Sequence, residues 1–422
     1  MLSGFRKFLP TLLLILVVSS IGISQGLPRP TGRYPVGRTS LAWTDRSRPE
    51  IVTDTPDDYR ELLVYIWYPA AGVSGNTGPY WPGVERTAGT AAAAQLSNMF
   101  GPIWTDIAAG KLRSHSYDNA RIGTSGPLPI LVFSPGGGST SIAYSTQMEE
   151  FASHGYIVVG VEHTFDAPAV LFPDGRIVGS AGAYWARLRA ELPDNEAFEK
   201  RITEMFAVDI VFVIGKLVEL SKDRTSPFYL RLDAARIGVF GHSRGGRDAA
   251  RACQLDPRIK GCVSEDGNFA WQPFWLDTNG RSLNQPFMML DHLDPELPDD
   301  VYSQIGTTRE AYVQNRTTRQ READGKIYGT IRGGSYHVTV TTPGISHNSF
   351  PDIRMLGRPD SAQMNIWPKD VQAATPHGQI LHTITEIALA FFDKYLRGSP
   401  ATLLANTKQA ADIRIQRFGA AR

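Results

Sequence analysis

The chain has 422 residues, with 43 lysines and arginines against 42 aspartates and glutamates, and a formal net charge of +1. That balance leaves no basic face for nucleic acid and no polybasic patch for an anionic membrane, so a small-molecule partner is expected. The length suits one large α/β domain with insertions, and two cysteines, Cys253 and Cys262, exclude a disulfide framework while leaving open one bridge or two buried thiols.

Arg6 and Lys7 precede an apolar run over 9–18 and small residues ending near Ser24. This is the pattern of a cleaved export signal over 1–24, and it predicts a secreted or periplasmic protein. Residues 25–422 then form a single domain, with inserted segments at about 86–104, 164–195 and 295–330. Strands are predicted over 39–43 and 61–68, the second closed by Pro69. The alanine-rich stretch 87–104 reads as a helix carrying Leu96, Met99, Phe100, Ile103 and Trp104, which either packs on the core or offers an apolar rim to a lipid surface.

A continuous apolar run over 128–133 fits a strand buried on both faces, and it enters Ser134-Pro135-Gly136-Gly137-Gly138-Ser139. A helix over about 140–154, stopped by Gly155, and a second buried strand over 156–161 complete a βαβ unit of a parallel sheet. Phe172-Pro173-Asp174-Gly175 predicts a hairpin outside that sheet. The stripe Phe198, Ile202, Met205, Phe206, Ile210, Val213, Leu217 and Leu220 predicts a long core helix.

The apolar run 237–240 then enters Gly241-His242-Ser243-Arg244-Gly245, and a small-residue helix over 247–255 leaves it. In the order strand, sharp turn, helix, G-x-S-x-G is a nucleophile elbow, because the turn has no room for side chains beside the serine. Further strands are predicted over 261–265, 286–290 and 335–341, a polar helical insertion over about 295–326, and a covering helix over 379–396. The tail past Gly398 is expected to be peripheral.

A serine hydroxyl needs a histidine to take its proton and a carboxylate to orient that histidine. With the elbow, the expected chain order is serine, acid, histidine. His347, in a loop just beyond the last predicted strand, is the first choice for the base, with His292 and His377 behind it. Asp266, Asp291 and Asp294 all satisfy the order, and position alone does not choose among them. The glycine loop lacks the lysine of a phosphate-binding loop and fits an oxyanion-hole loop instead. No metal-ligand spacing such as H-E-x-x-H occurs, and no cofactor is called for.

Several blocks in order, Val36-Gly37-Arg38-Thr39, Ile66-Trp67-Tyr68-Pro69, Ala152-Ser153-His154-Gly155-Tyr156 with Glu162-His163, the elbow, and Ile345-Ser346-His347-Asn348-Ser349-Phe350, resemble the platelet-activating factor acetylhydrolase family. The resemblance implies the α/β-hydrolase fold, a mostly parallel sheet with helices on both faces and inserted cap-like segments. It implies Asp266 as the acid, with Asp294 in reserve, and the backbone N–H groups of Gly137 and Arg244 as oxyanion donors. It further implies a secreted serine esterase acting on short acyl esters, sn-2 acetyl phospholipids included. A polyesterase or lactonase on the same triad is the alternative, and a binding module without activity the remote one. Trp271, Phe274 and Trp275, just past the acid, are candidates for lining the acyl site or for core packing. Two departures stand out: Pro135 replaces a frequent histidine, and Arg244 puts a charge where the family commonly has an apolar residue.

Overall fold

The structure is a computed structural model, and it describes residues 26–267, 283–293, 299–304, 306–326, 328, 331–356, 376–400, 402–405 and 412–419. Its strands are β1 (Val36–Pro49), β2 (Tyr59–Pro69), β3 (Ser116–Asp118), β4 (Leu128–Ser134), β5 (Ile157–Glu162), β6 (Ala169–Leu171), β7 (Ile177–Gly179), β8 (Leu232–His242), β9 (Ile259–Glu265), β10 (Phe287–His292), β11 (Ser335–Val340) and β12 (Ile413–Phe418). Its principal helices are α1 (Ala91–Phe100), α2 (Trp104–Ala108), α3 (Ser145–Ser153), α4 (Gly182–Glu191), α5 (Asn195–Leu220), α6 (Arg244–Leu255), α7 (Asp299–Gln304), α8 (Arg309–Lys326) and α9 (His377–Arg397).

Ten strands form one sheet in the order β12-β11-β10-β9-β8-β4-β5-β2-β1-β3, and β6 and β7 make a separate hairpin. The six strands from β5 to β11 in that order are parallel to their neighbours. β2 joins β5, and β12 joins β11, antiparallel. Side chains alternate along each strand, so β2 sends Leu63, Tyr65 and Trp67 into one core with α3 and α9, and Leu62, Val64, Ile66 and Tyr68 into the other with α5 and α6. Each such side chain fully withdrawn from water stabilises the sheet by about 1.5–3 kcal/mol.

The chain leaves β4 for β5 on one side and returns to β8 on the other. β4 is therefore the place where strand order reverses, and the crevice outside its carboxyl end is where open α/β sheets hold their ligands. Both the glycine loop after β4 and Ser243 after β8 lie at that end.

Two expectations are corrected. The tail is not peripheral: β12 extends the sheet, because the alternation Ile413-Arg414-Ile415-Gln416 gives it an apolar face to lay beside β11. The 87–104 stretch is not one helix, since Gly101-Pro102 breaks it between α1 and α2. Nor does that stretch present its large apolar side chains outward: Leu96 and Phe100 are fully buried, Met99, Ile103 and Trp104 pack half-buried against the same core, and Trp104 stacks on Phe100. Cys253 and Cys262 form a disulfide between the end of α6 and β9.

Candidate active site

Ser243 joins β8 to α6 with φ 57° and ψ −122°, a conformation costly for a residue with a Cβ and one that lifts its side chain off the sheet. The flanking glycines permit it. A Cβ on Gly241 would stand 2.2 Å from the Gly245 carbonyl oxygen, and one on Gly245 would stand 2.1 Å from that of Ser134. These are backbone atoms that cannot swing away.

His347 opens a short helical turn beyond β11, capped by Ser346 and Ser349. Its Nε2 lies 3.0 Å from Ser243 Oγ and its Nδ1 2.5 Å from Asp266 Oδ2. The side chain is 44% exposed, so a substrate can reach the serine–histidine pair from solvent. Asp266 follows β9 and is set by the sheet register: Ser243 N–H donates to the Glu265 carbonyl at 2.8 Å, and Asp266 N–H to that of Leu290 at 2.8 Å. Burial pushes the Asp266 carboxyl up, but His292, with Nδ1 at 3.0 Å, and His347 outweigh it and hold the group well below the usual carboxylate range.

The other candidates have other partners. His292 sits on Asp266, His337 on Asp291 at 2.8 Å, and His382 on Glu386 at 3.3 Å. His377 begins α9, where burial and Arg354 bring its pKa down to about 4. Asp294, Trp271, Phe274 and Trp275 lie outside the described residues.

The glycine loop is beside the serine: a Cβ on Gly136 would come within 3.5 Å of Ser243 Cβ. Among the described residues, the backbone N–H groups of Gly137 and Arg244 have no acceptor, so both remain available to a ligand atom. Tyr144 OH accepts from Gly136 N–H at 3.2 Å and lies 2.8 Å from His242 Nδ1. Burial, with His347 acting in the same direction, keeps His242 well below the ordinary imidazole pKa, and its ring stacks on Phe350. Among the described residues, His242, Asp266 and His347 are the one cluster close enough to share a metal ion; Asp266 and His347 bond each other, and His242 bonds Tyr144 through Nδ1 while its buried Nε2 has no hydrogen-bond partner.

Sequence reasoning missed the partner of the Arg244 side chain. Its guanidinium lies against Gly137, over the Phe206 ring at 5.1 Å, and pairs with Asp166, which also accepts from Gly138 N–H at 2.8 Å. The signal was available in outline, since Asp166 follows a parallel strand next to the glycine loop.

The family model for platelet-activating factor acetylhydrolase, isoform II, matches residues 20–172, a span that includes the glycine loop, Glu162-His163 and Asp166. A probable 1-alkyl-2-acetylglycerophosphocholine esterase of Arthroderma benhamiae is 28% identical over 279 residues, 64% of this chain and 66% of that protein. Over these spans the chain is similar to the platelet-activating factor acetylhydrolases. The acetylhydrolase of Bos taurus is 25% identical over 68% of this chain and 64% of its own length, and that of Cavia porcellus 23% identical over 90% and 80%. The chain thus spans just under two thirds of the length of the first two of these proteins. A solved structure, the ferulic acid esterase of Streptomyces cinnamoneus, superposes with a TM-score of 0.67 at 24% identity, covering 93% of this chain and 99% of that one. The fold is that of the α/β hydrolases.

Proposed function

We propose that this chain is a serine carboxylic ester hydrolase for short acyl groups, among them the sn-2 acetyl group of phospholipids of the platelet-activating factor type. The observation that carries the proposal is the chain of contacts from Ser243 Oγ through His347 to Asp266. Ser243 attacks the ester carbonyl while His347 Nε2 takes its proton, and Asp266 holds the imidazolium. The Gly137 and Arg244 N–H groups meet the oxygen that becomes negative, one such donor being worth about 3 kcal/mol. His347 then protonates the leaving alcohol, and water, deprotonated by the same histidine, releases the acid. The substrate class is supported by the activities that the relatives above are named for. Export of the protein is supported by the apolar run over 9–18 and by the Cys253–Cys262 bridge.

The test is hydrolysis of p-nitrophenyl esters of rising chain length and of an sn-2 acetyl phospholipid by the wild type, Ser243→Ala and His347→Ala. Turnover of short chains and of the phospholipid, lost in both variants, is the expected result. Cleavage of small esters with the phospholipid untouched would overturn the substrate class, and turnover that survives Ser243→Ala would overturn the mechanism.

A further inference from the structure

Behind the glycine loop lies a second set of polar contacts with no access for a substrate. Ser134, the last residue of β4, places its Oγ 3.0 Å from His163 Nε2 and 3.3 Å from Asp248 Oδ2. His163 Nδ1 is 2.9 Å from Asp209 Oδ2, and Asp209 is held by Arg60 at 2.7 Å. The connectivity is again serine, histidine, aspartate, but Ser134, His163, Asp209 and Asp248 are all buried and Arg60 neutralises Asp209. Nucleophilic chemistry is therefore excluded for Ser134 by lack of access.

Its placement suggests a different task. His163 and Asp166 lie in one tight turn, closed by the Asp166 and Ala167 N–H groups donating to the His163 carbonyl at 3.0 and 3.1 Å, with Phe165 at φ 71°. His163 grips the start of the glycine loop through Ser134, and Asp166 grips its far side through Gly138 N–H. Each grip is shared with α6, at Asp248 and Arg244, four residues apart and therefore on one face of the helix. Phe206 of α5 stacks on the His163 ring at 4.2 Å and also carries the Arg244 guanidinium over its ring at 5.1 Å. One turn thus ties together the glycine loop and the helix whose first residue is Arg244. Those are the two segments that carry the oxyanion donors.

We propose that the 163–166 turn braces the two halves of the oxyanion hole at a fixed separation, with Asp166 as the positioning residue through its joint hold on Gly138 N–H and Arg244. The inference rests on the serine-hydrolase reading. Asp166 does not touch the reacting atoms; it acts on the placement of the Gly137 and Arg244 amides, so its effect falls on the transition state and not on substrate binding.

The experiment compares wild type, Ser243→Ala, Asp166→Ala, Asp166→Asn and Arg244→Met on p-nitrophenyl acetate, with inhibition by a boronic acid that forms a tetrahedral adduct on serine, and thermal melting of each. Asp166→Ala is expected to lower kcat 10- to 100-fold with KM within twofold, and to weaken the boronic acid by a similar factor. Asp166→Asn keeps an acceptor for Gly138 N–H and should recover part of the loss. Arg244→Met removes the guanidinium but not the backbone N–H, and carries the same expectation should Asp166→Ala fail to fold. Folded variants with unchanged kcat, or with a raised KM at constant kcat, would overturn the brace. A wild type without Ser243-dependent turnover would instead overturn the serine-hydrolase reading beneath it.

Discussion

Glu265, the last residue of β9, is fully buried, and its carboxylate accepts one hydrogen bond, from Gln147 Nε2 at 2.7 Å. Burial outweighs that bond and pushes its pKa from 4.5 up to about 8. Below about pH 4.5 the carboxyl is protonated in folded and unfolded chains alike. From there to about pH 8 the unfolded chain has released the proton that the fold retains, so stability falls as pH rises and levels off beyond. At about 1.4 kcal/mol for each pKa unit, the full loss is of the order of 5 kcal/mol. Glu265→Gln keeps the size and the acceptor without the charge. Guanidinium unfolding at pH 5 should find the variant and wild type within about 1 kcal/mol. At pH 8.5 the variant should be more stable by several kcal/mol, at most about 5. The buried Glu149, Glu162 and Asp352 are raised in the same direction, but they are common to both proteins and cancel in the difference. A stability difference that does not change with pH would show that the fold does not hold the Glu265 carboxyl protonated.

His292→Gln removes a contact to Asp266 but leaves His347 in place, so kcat should fall less than about tenfold, against a loss of about 10³ or more for His347→Gln in the same assay. Equal losses would reopen the choice of base. Gly245→Ala forces a Cβ against the backbone oxygens of Ser134 and Pro135 at 2.1 and 2.5 Å. It should destabilise the fold by about 3 kcal/mol or more and abolish turnover, read by melting and by ester hydrolysis. Replacing Cys253 and Cys262 by alanine opens a loop with a sequence separation of 9 and should lower the free energy of unfolding by about 2–3 kcal/mol, read by denaturant titration, while leaving kcat near wild type.

The elbow was legible because its constraint is local: a serine at positive φ between glycines that have no room for a Cβ leaves a five-residue pattern. The parallel strands were legible for a similar reason, since two buried faces require continuous apolar runs such as Ile130 to Phe133. Asp266 was legible only through the family resemblance, because Asp291 and Asp294 satisfy the same chain order. What places Asp266 against His347 is the register of β9 with β8 and β10, a non-local quantity. The Arg244 side chain was legible as a departure from the family pattern but not in its pairing, because Asp166 lies 78 residues earlier. The apolar residues of 87–104 were legible as apolar, while the side to which they turn depends on a break at Gly101-Pro102 and on the core beneath.

The most direct measurement of Ser243 as the nucleophile is covalent trapping of the wild type with an organophosphate, followed by mass spectrometry of its peptides and by residual ester hydrolysis. One phosphoryl adduct is expected, on Ser243, with activity lost in proportion to labelling and with labelling strongly slowed in His347→Ala. An adduct elsewhere that accompanies the loss of activity, or full activity with Ser243 labelled, would contradict that role.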